Sequence, residues 1–503
     1  MITITPYKSG SIERGGLSYR GSKGNIIPTT PLAIPLGERQ LVMHRAVMED
    51  HYDCRRTVHP VEKHPGNPLI SAKEPWEYVG PTAGGVVLYD KQLGKFRLWA
   101  TTWLKPEPNQ KQIFTNIYFE SDDGLQWQRP NLGQYEIDGS SDNSLMRYDL
   151  SDFGGPFYGG GAYVFELPEH HRDKGRFGKI MQVHPLGPVP ENYPTMNHFI
   201  LFSDDGYVWK ARKDHNPIFC GRNDGPNQLI VWNAQRQVFM CYRRATINAK
   251  EVRRITYTES KDLISWTQPR IVIGPDELDS QFLYGMTVMR YQNMYLGVLN
   301  VLYHHPDFKV PKEHEVDTQL AWSHDGIHWD RHPERPIFIP TSPMGRGFPD
   351  WGHLYAMQQM IDVGDRVYVY YNGREAFHND VIVEKARHIC LGTVRRDGFV
   401  SLDSPREGWA LTAPLRCPGG KLHINATTES NGTIQVAVRE GEGIRDGEWP
   451  EEWSLDQATD IVGDSLDHQV NWKGQTDLSR WKGKIIRLEF RMVRSKLYSF
   501  WFA

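Results

Sequence analysis

The sequence predicts an all-β protein, a five-bladed β-propeller followed by a C-terminal β-sandwich, and three observations point there. A short motif, Ser-x-Asp-x-x-x-Trp, recurs at Ser121–Trp127, Ser203–Trp209, Ser260–Trp266 and Ser323–Trp329. A β-rich run with turn residues at its end precedes each copy. Almost no segment carries the sustained 3.6-residue periodicity of an amphipathic helix.

The motif reads as a hairpin. Its Ser and Asp side chains can bond nearby backbone amides, a Gly after the Asp in three copies supplies positive φ, and the Trp packs back. A degenerate fifth copy, Arg395–Ser401, lacks the Trp. Upstream of the copies lie further strand pairs: 85–90 with 95–100, 228–233 with 237–242, 286–291 with 294–299, and 354–360 with 366–371. Four short antiparallel strands in each unit of roughly 60 residues describe a propeller blade. Five such units fit between residues 68 and 415, the second being the least regular. From residue 416 the motif stops. The turn Cys417–Gly420 and the stretches 421–426, 433–438, 485–491 and 497–502 then predict a sandwich over 416–503. Residues 1–67 read as a Pro- and Gly-punctuated arm that packs on the sandwich or closes the ring.

Composition narrows the class. Lys and Arg total 58 against 61 Asp and Glu, with no basic block, so neither nucleic acid nor a membrane surface is an expected partner. The N-terminus has no apolar signal-like region and no run is long enough to span a bilayer. Five scattered cysteines show no CxxC pair and are expected as free thiols, which leans towards the cytoplasm. A secreted protein whose signal has been removed is the alternative. The aromatic content of 12% suits both an all-β core and stacking on sugar rings.

Several segments carry a resemblance. Asn67–Ile70 with Pro75–Glu77, Val87–Asp90 with Lys95–Trp99, Tyr370–Gly373 with His378, Arg395–Leu402 and Leu497–Phe500 together are similar to bacterial proteins labelled glycoside hydrolase family 32-like. The arrangement resembles the five-bladed propeller glycoside hydrolases of families 32, 43, 68, 117 and 130. It implies a carbohydrate-handling enzyme, with an active site at one end of the propeller channel and an oligosaccharide substrate. The family 32 signature Trp-Met-Asn-Asp-Pro-Asn-Gly is absent, so fructosidase activity is not implied.

Residues just before the first strand of each blade should line that channel end. They give four candidate catalytic carboxylates: Glu77, Asp224, Asp279 and Asp350. Glycosidic hydrolysis needs one carboxyl to protonate the leaving oxygen and a second to activate water or attack carbon. Tyr158, Asn227, Arg244, Tyr284, His353 and His378 are the candidate substrate-binding residues, with His304 and His305 on the rim. Each has a bland reading: Glu77 can cap a turn, Asp224 can make an Asx turn, and a surface histidine needs no ligand. No metal-ligand spacing and no phosphate loop stand out, so neither metal nor cofactor is expected. The leading function is an exo-acting glycoside hydrolase of polysaccharide degradation. Two alternatives stay open. One is a lyase or dehydratase acting on uronic-acid oligosaccharides, with Tyr284 or His378 as base and Arg244 neutralising the carboxylate. The other is a non-catalytic sugar-binding propeller.

Overall fold

The structure, a computed structural model, describes residues 30–503 except 107–112, 149, 154–156, 186–196, 221–227, 247–251, 280–281, 305–308, 310–311, 381 and 442–449. It is all-β: strands alternate with loops, and the helical pieces among the described residues are short 3₁₀ turns.

Five antiparallel modules follow one another, each of four strands except the second, which has five. The first holds Glu77–Asp90, Lys95–Leu104, Phe114–Ser121 and Leu145–Met146. The second holds Phe157–Glu166, Phe177–Pro185, Asn197–Ser203, Lys210–Ala211 and Phe219–Cys220. The third holds Gln228–Asn233, Val238–Thr246, Arg253–Ser260 and Arg270–Ile273. In the fourth are Phe282–Tyr291, Met294–Leu302, Val316–Ser323 and Asp330–Arg331. The fifth has His353–Val363, Arg366–Arg374 and Arg387–Arg395, and takes its fourth strand, Glu62–Lys63, from the N-terminal segment. First strands contact one another in chain order, and the fifth returns to the first through the parallel bridge Gln358–Val86. A separate apolar cluster fills each junction between neighbours; Trp99, Phe177 and Phe199, for example, join the first two modules.

The repeated hairpin explains how neighbours are held. In the first copy the Ser121 hydroxyl donates to Asp123 at 2.9 Å and accepts from the Gly124 N–H at 2.9 Å. The same Asp123 oxygen accepts from the Leu125 and Gln126 amides at 2.7 and 2.8 Å. The Trp127 indole N–H then donates to the Gly124 carbonyl at 3.1 Å. The second and fourth copies repeat every one of these bonds. That same Gly carbonyl also receives an aromatic donor from the preceding module: Trp99 on Gly206 at 2.9 Å, Tyr242 on Gly326 at 2.6 Å, and Tyr370 on Gly124 at 2.8 Å. The last contact runs from the fifth module to the first and closes the circle. In the third copy Leu263 takes the glycine position at φ +67° and packs among Phe165, Ile180 and Phe239 of an apolar cluster instead.

The chain ends form one further sheet of nine strands. Val400–Thr412, Leu415–Arg416, Leu422–Glu440, Asp464–Gln469 and Ile485–Phe502 pair within it, joined by Leu32–Ala33, Gln40–Leu41, Met48–Tyr52 and Arg55–Val58. This differs from the expected sandwich in two ways. The stretches 421–426 and 433–438 are one strand interrupted by a register shift between Thr428 and Thr433, and 485–491 continues into 497–502 as a single strand. The sheet also begins at Val400, and the N-terminal segment completes it. The degenerate fifth hairpin ties the modules to it: Asp397 accepts from Arg39 at 2.8 Å, Tyr291 at 2.9 Å and Ser499 at 2.6 Å.

Candidate functional site

A cavity of about 410 Å³ opens where the starts of the first strands meet the ends of the second strands. The second strands supply side chains at alternate positions, as a strand must if one face is to look inward. These are Thr101 and Trp103, Gln182 and His184, and Asn372 and Arg374. First strands add Thr82, Gly160, Gly161, Tyr284, His353 and Tyr355, with Phe114, His378 and Arg387 completing the wall. Glycine is required at 160, where an added Cβ would lie 2.4 Å from Phe114. Beside the wall residue Tyr284, though not themselves lining the cavity, the Arg244 guanidinium sits 4.5 Å and the Arg253 guanidinium 4.8 Å from its ring.

Four of the expected binding residues come together here. Tyr284 and His378 meet edge to face at 4.7 Å, His353 and His378 lie 5.2 Å apart, and Arg244 covers Tyr284. Tyr158 stands behind the wall, stacked on His184 at 5.2 Å and edge-on to Phe114 at 5.0 Å. Asn227 and Asp224 lie outside the described residues, as does His305.

The other three carboxylates, Glu77, Asp279 and Asp350, do not line this cavity, and each has an internal partner. Glu77 accepts from the Lys73 amide at 2.6 Å and from Arg129 at 2.9 Å, closing the turn before its strand. Asp279 is held by both Arg331 nitrogens at 2.6 and 2.7 Å. Asp350 accepts from Lys63 at 2.6 Å and from Tyr371 at 2.8 Å. The physical reason is placement. Asp279 and Asp350 sit in loops ahead of first strands and Glu77 is the first residue of its own, whereas the cavity wall is built mostly from residues inside the strands. No carboxylate lines the cavity among the described residues.

What lines it is cationic, aromatic and neutral-imidazole. Burial lowers the His353 imidazole, with His378, Arg374 and Arg387 adding to the effect. The same causes, burial first and then Arg253 and Arg374, bring His378 down to about 3. Both His353 nitrogens, Nδ1 of His378, Nε and Nη1 of Arg244, and Nε and Nη2 of Arg374 are buried without a hydrogen-bond partner among the described residues. Arg387 donates to Thr82 at 2.7 Å and lies 4.9 Å over Trp103. Burial and the neighbouring Arg374 push its guanidinium down to about 9. Such a cluster is stabilised by an anion entering from solvent.

Two phenols complete the chemistry. Burial alone would raise the Tyr284 hydroxyl, but Arg244, a hydrogen bond from Tyr355 and Arg253 bring it below its ordinary value. Tyr355, its ring 5.4 Å away, is raised well above the ordinary value by burial and by the charge of Tyr284. Adjacent groups driven in opposite directions are suited to base and acid roles. Sequence reasoning missed Tyr355 and Arg374. The available signal was alternation: Tyr355 lies two residues after His353, and Arg374 ends its second strand much as Arg244 approaches the end of its own.

No protein-family model matches the chain, and no curated protein matches it. Solved structures do. A β-1,2-mannobiose phosphorylase from Listeria innocua, complexed with β-1,2-mannobiose, shares 14% identity over 67% of this chain and 97% of that one, at a TM-score of 0.47. An N-acetylgalactosamine deacetylase from F. plautii, in complex with blood group B trisaccharide, shares 13% over 68% and 95%, at 0.42. A glycosyl hydrolase from Bacteroides ovatus shares 12% over 67% and 94%, at 0.43.

Proposed function

We propose that the chain is a carbohydrate-active enzyme, its five modules the blades of a propeller, and that it cleaves uronic-acid-containing oligosaccharides by β-elimination. The observation that carries this reading is the Tyr284–Tyr355 pair under Arg244, in a cavity whose described lining is cationic and holds no carboxylate. Paired acids, which hydrolysis needs, are missing from that lining; an arginine-neutralised acid sugar fits it.

The steps follow from the geometry. Arg244, with buried nitrogens unpartnered, takes the uronate carboxylate and draws charge away from the adjacent C5. Tyr284, as the phenolate that Arg244 favours, removes the C5 proton. The electron pair forms the C4–C5 double bond, the C4–O bond breaks, and the protonated Tyr355 gives its proton to the leaving oxygen. The net products are a 4,5-unsaturated uronate and a free hydroxyl, so no water is consumed. His353 and His378 stay neutral beside the reacting groups and can donate hydrogen bonds without repelling the arginines. Trp103 and Phe114 offer apolar faces to a sugar ring. The sequence resemblance to propeller glycoside hydrolases supports a saccharide over other anions.

The test is to incubate the protein with a panel of uronate oligosaccharides and follow the ultraviolet absorbance of the conjugated product. Tyr284→Phe should reduce its formation by about 10²-fold or more, the scale of a lost acid–base group. Product that lacks the double bond and carries solvent oxygen would return the assignment to hydrolysis, with Asp224 the first residue to substitute. Sugar binding without any product would leave the non-catalytic reading.

A further inference from the structure

We propose that His304, Glu313 and His314 form a binding site for a divalent transition-metal ion of the zinc type. The three come from the connection between Met294–Leu302 and Val316–Ser323, and their ligand atoms all lie within 4.8 Å of one another. Both imidazoles turn Nδ1 towards the same Glu313 oxygen, His304 at 2.6 Å and His314 at 3.6 Å. The two rings are stacked at 5.3 Å with 26° between their planes. Two imidazoles and one carboxylate are the donors such an ion takes when a fourth position stays open to water or ligand. Bonds of about 2.0–2.2 Å put tetrahedral ligand atoms roughly 3.3–3.6 Å apart, so His304 and Glu313 would open from 2.6 Å to admit the ion.

The surroundings hold these donors in place. The remaining nitrogen of His314, Nε2, accepts from the Asn379 side-chain N–H at 3.0 Å. That bond orients the His314 ring with Nδ1 towards Glu313, and an entering metal would displace the Nδ1 proton. The backbone fixes the same residue: the His314 N–H donates to the Tyr303 carbonyl at 2.8 Å, and its own carbonyl accepts from the His378 N–H at 2.8 Å. His304 is packed edge-on to Phe282 at 5.4 Å. All three ligands are partly buried, so an ion could enter from solvent without opening the core. The competing arrangement, a carboxylate that only bridges two imidazoles by hydrogen bonds, would take up no metal. None of the three lines the cavity, and the inference stands apart from the elimination chemistry. A contiguous motif never revealed it, because His304 and the Glu313–His314 pair sit at opposite ends of one connection.

The test uses the full chain, stripped with chelator and dialysed. Titration calorimetry with Zn²⁺ should show one saturable equivalent, and Co²⁺ should give visible ligand-field bands. His304→Ala, Glu313→Gln and His314→Ala should each abolish the bands. His328→Ala removes an exposed histidine that pairs with Asp325 and should change nothing. Absence of saturable binding, or binding that survives loss of both His304 and His314 in a variant with unchanged circular dichroism, would overturn the proposal.

Discussion

Asp279 and Tyr284 lie five positions apart and show how differently two titratable residues can be used. The Asp279 side chain is 1% exposed and its partner Arg331 7%, so each neutralises the other out of solvent. Removing one charge leaves the other buried and uncompensated. Asp279→Asn should therefore destabilise the protein by roughly 3–5 kcal/mol, seen as a lower melting temperature, while turnover of surviving native protein stays near wild type. A normal melting temperature with lost turnover would return Asp279 to the catalytic list. Tyr284 should show the converse. As a base it acts only when ionised, so the rate should rise with pH along a limb centred below the ordinary phenol value of about 10. Replacing Arg244 with Met removes the largest favourable charge and should move that limb upward in pH. Both outcomes turn on partners brought from distant positions, Arg331 for one and Arg244 for the other. A reading of local sequence could name these residues but could not tell which of them was already neutralised.

At the scale of the element, the hairpin repeat was fully legible because all its bonds fall within seven residues. Ser, Asp, Gly and Trp each satisfy a particular amide or carbonyl, and spacing alone revealed them. What spacing could not reveal is the second use of the Gly carbonyl, as acceptor for Trp99, Tyr242 or Tyr370 of the preceding module. These residues recur at equivalent places in their second strands, yet one is Trp and two are Tyr, so no identity marks them. The copies should also differ in weight. Trp209 is 4% exposed, whereas the three other motif tryptophans are only partly buried. Trp209→Ala should cost about 3–5 kcal/mol through the cavity it leaves, and Trp127→Ala distinctly less. Equal losses in denaturant titrations would mean that the hairpin bonds, common to both, and not burial, set the energy. Gly326→Ala joins a φ of +78° to a contact of 2.7 Å with the Tyr242 hydroxyl, and should be as damaging as the larger truncation. The long terminal strands were misread for a related reason: a register shift inside a strand looks, in sequence, like a turn between two.

The whole molecule couples its parts through two features. One is acid sensitivity. Burial, with Arg243 and His184 nearby, holds the His198 imidazole down at about 3, and His353 is likewise kept neutral. The unfolded chain takes up the His198 proton near the ordinary value of about 6.5, so between there and about 3 it binds more protons than the native state, and His353 acts in the same direction. Stability should fall as pH drops through that window, and thermal melts at stepped pH should be shallower for His198→Gln.

The second feature is shared core. A single apolar cluster holds Met289 and Leu296 of the fourth module, Val367 and Cys390 of the fifth, and Ile424, Val436 and Phe490 of the terminal sheet. Cys417, at the expected division near residues 416–420, is 1% exposed, and its amide donates to the Lys484 carbonyl at 2.9 Å. The N-terminal segment stitches across the same line, giving strands to the terminal sheet and Glu62–Lys63 to the fifth module. Cutting the chain after Arg416 would bare one face of that cluster and leave Arg39, Tyr291 and Asp397 without Ser499. A truncated protein ending at 416 should thus be insoluble, or should melt without cooperativity when refolded. If it melts in one transition near the full-length temperature, the modules fold independently and the terminal sheet is an accessory to them.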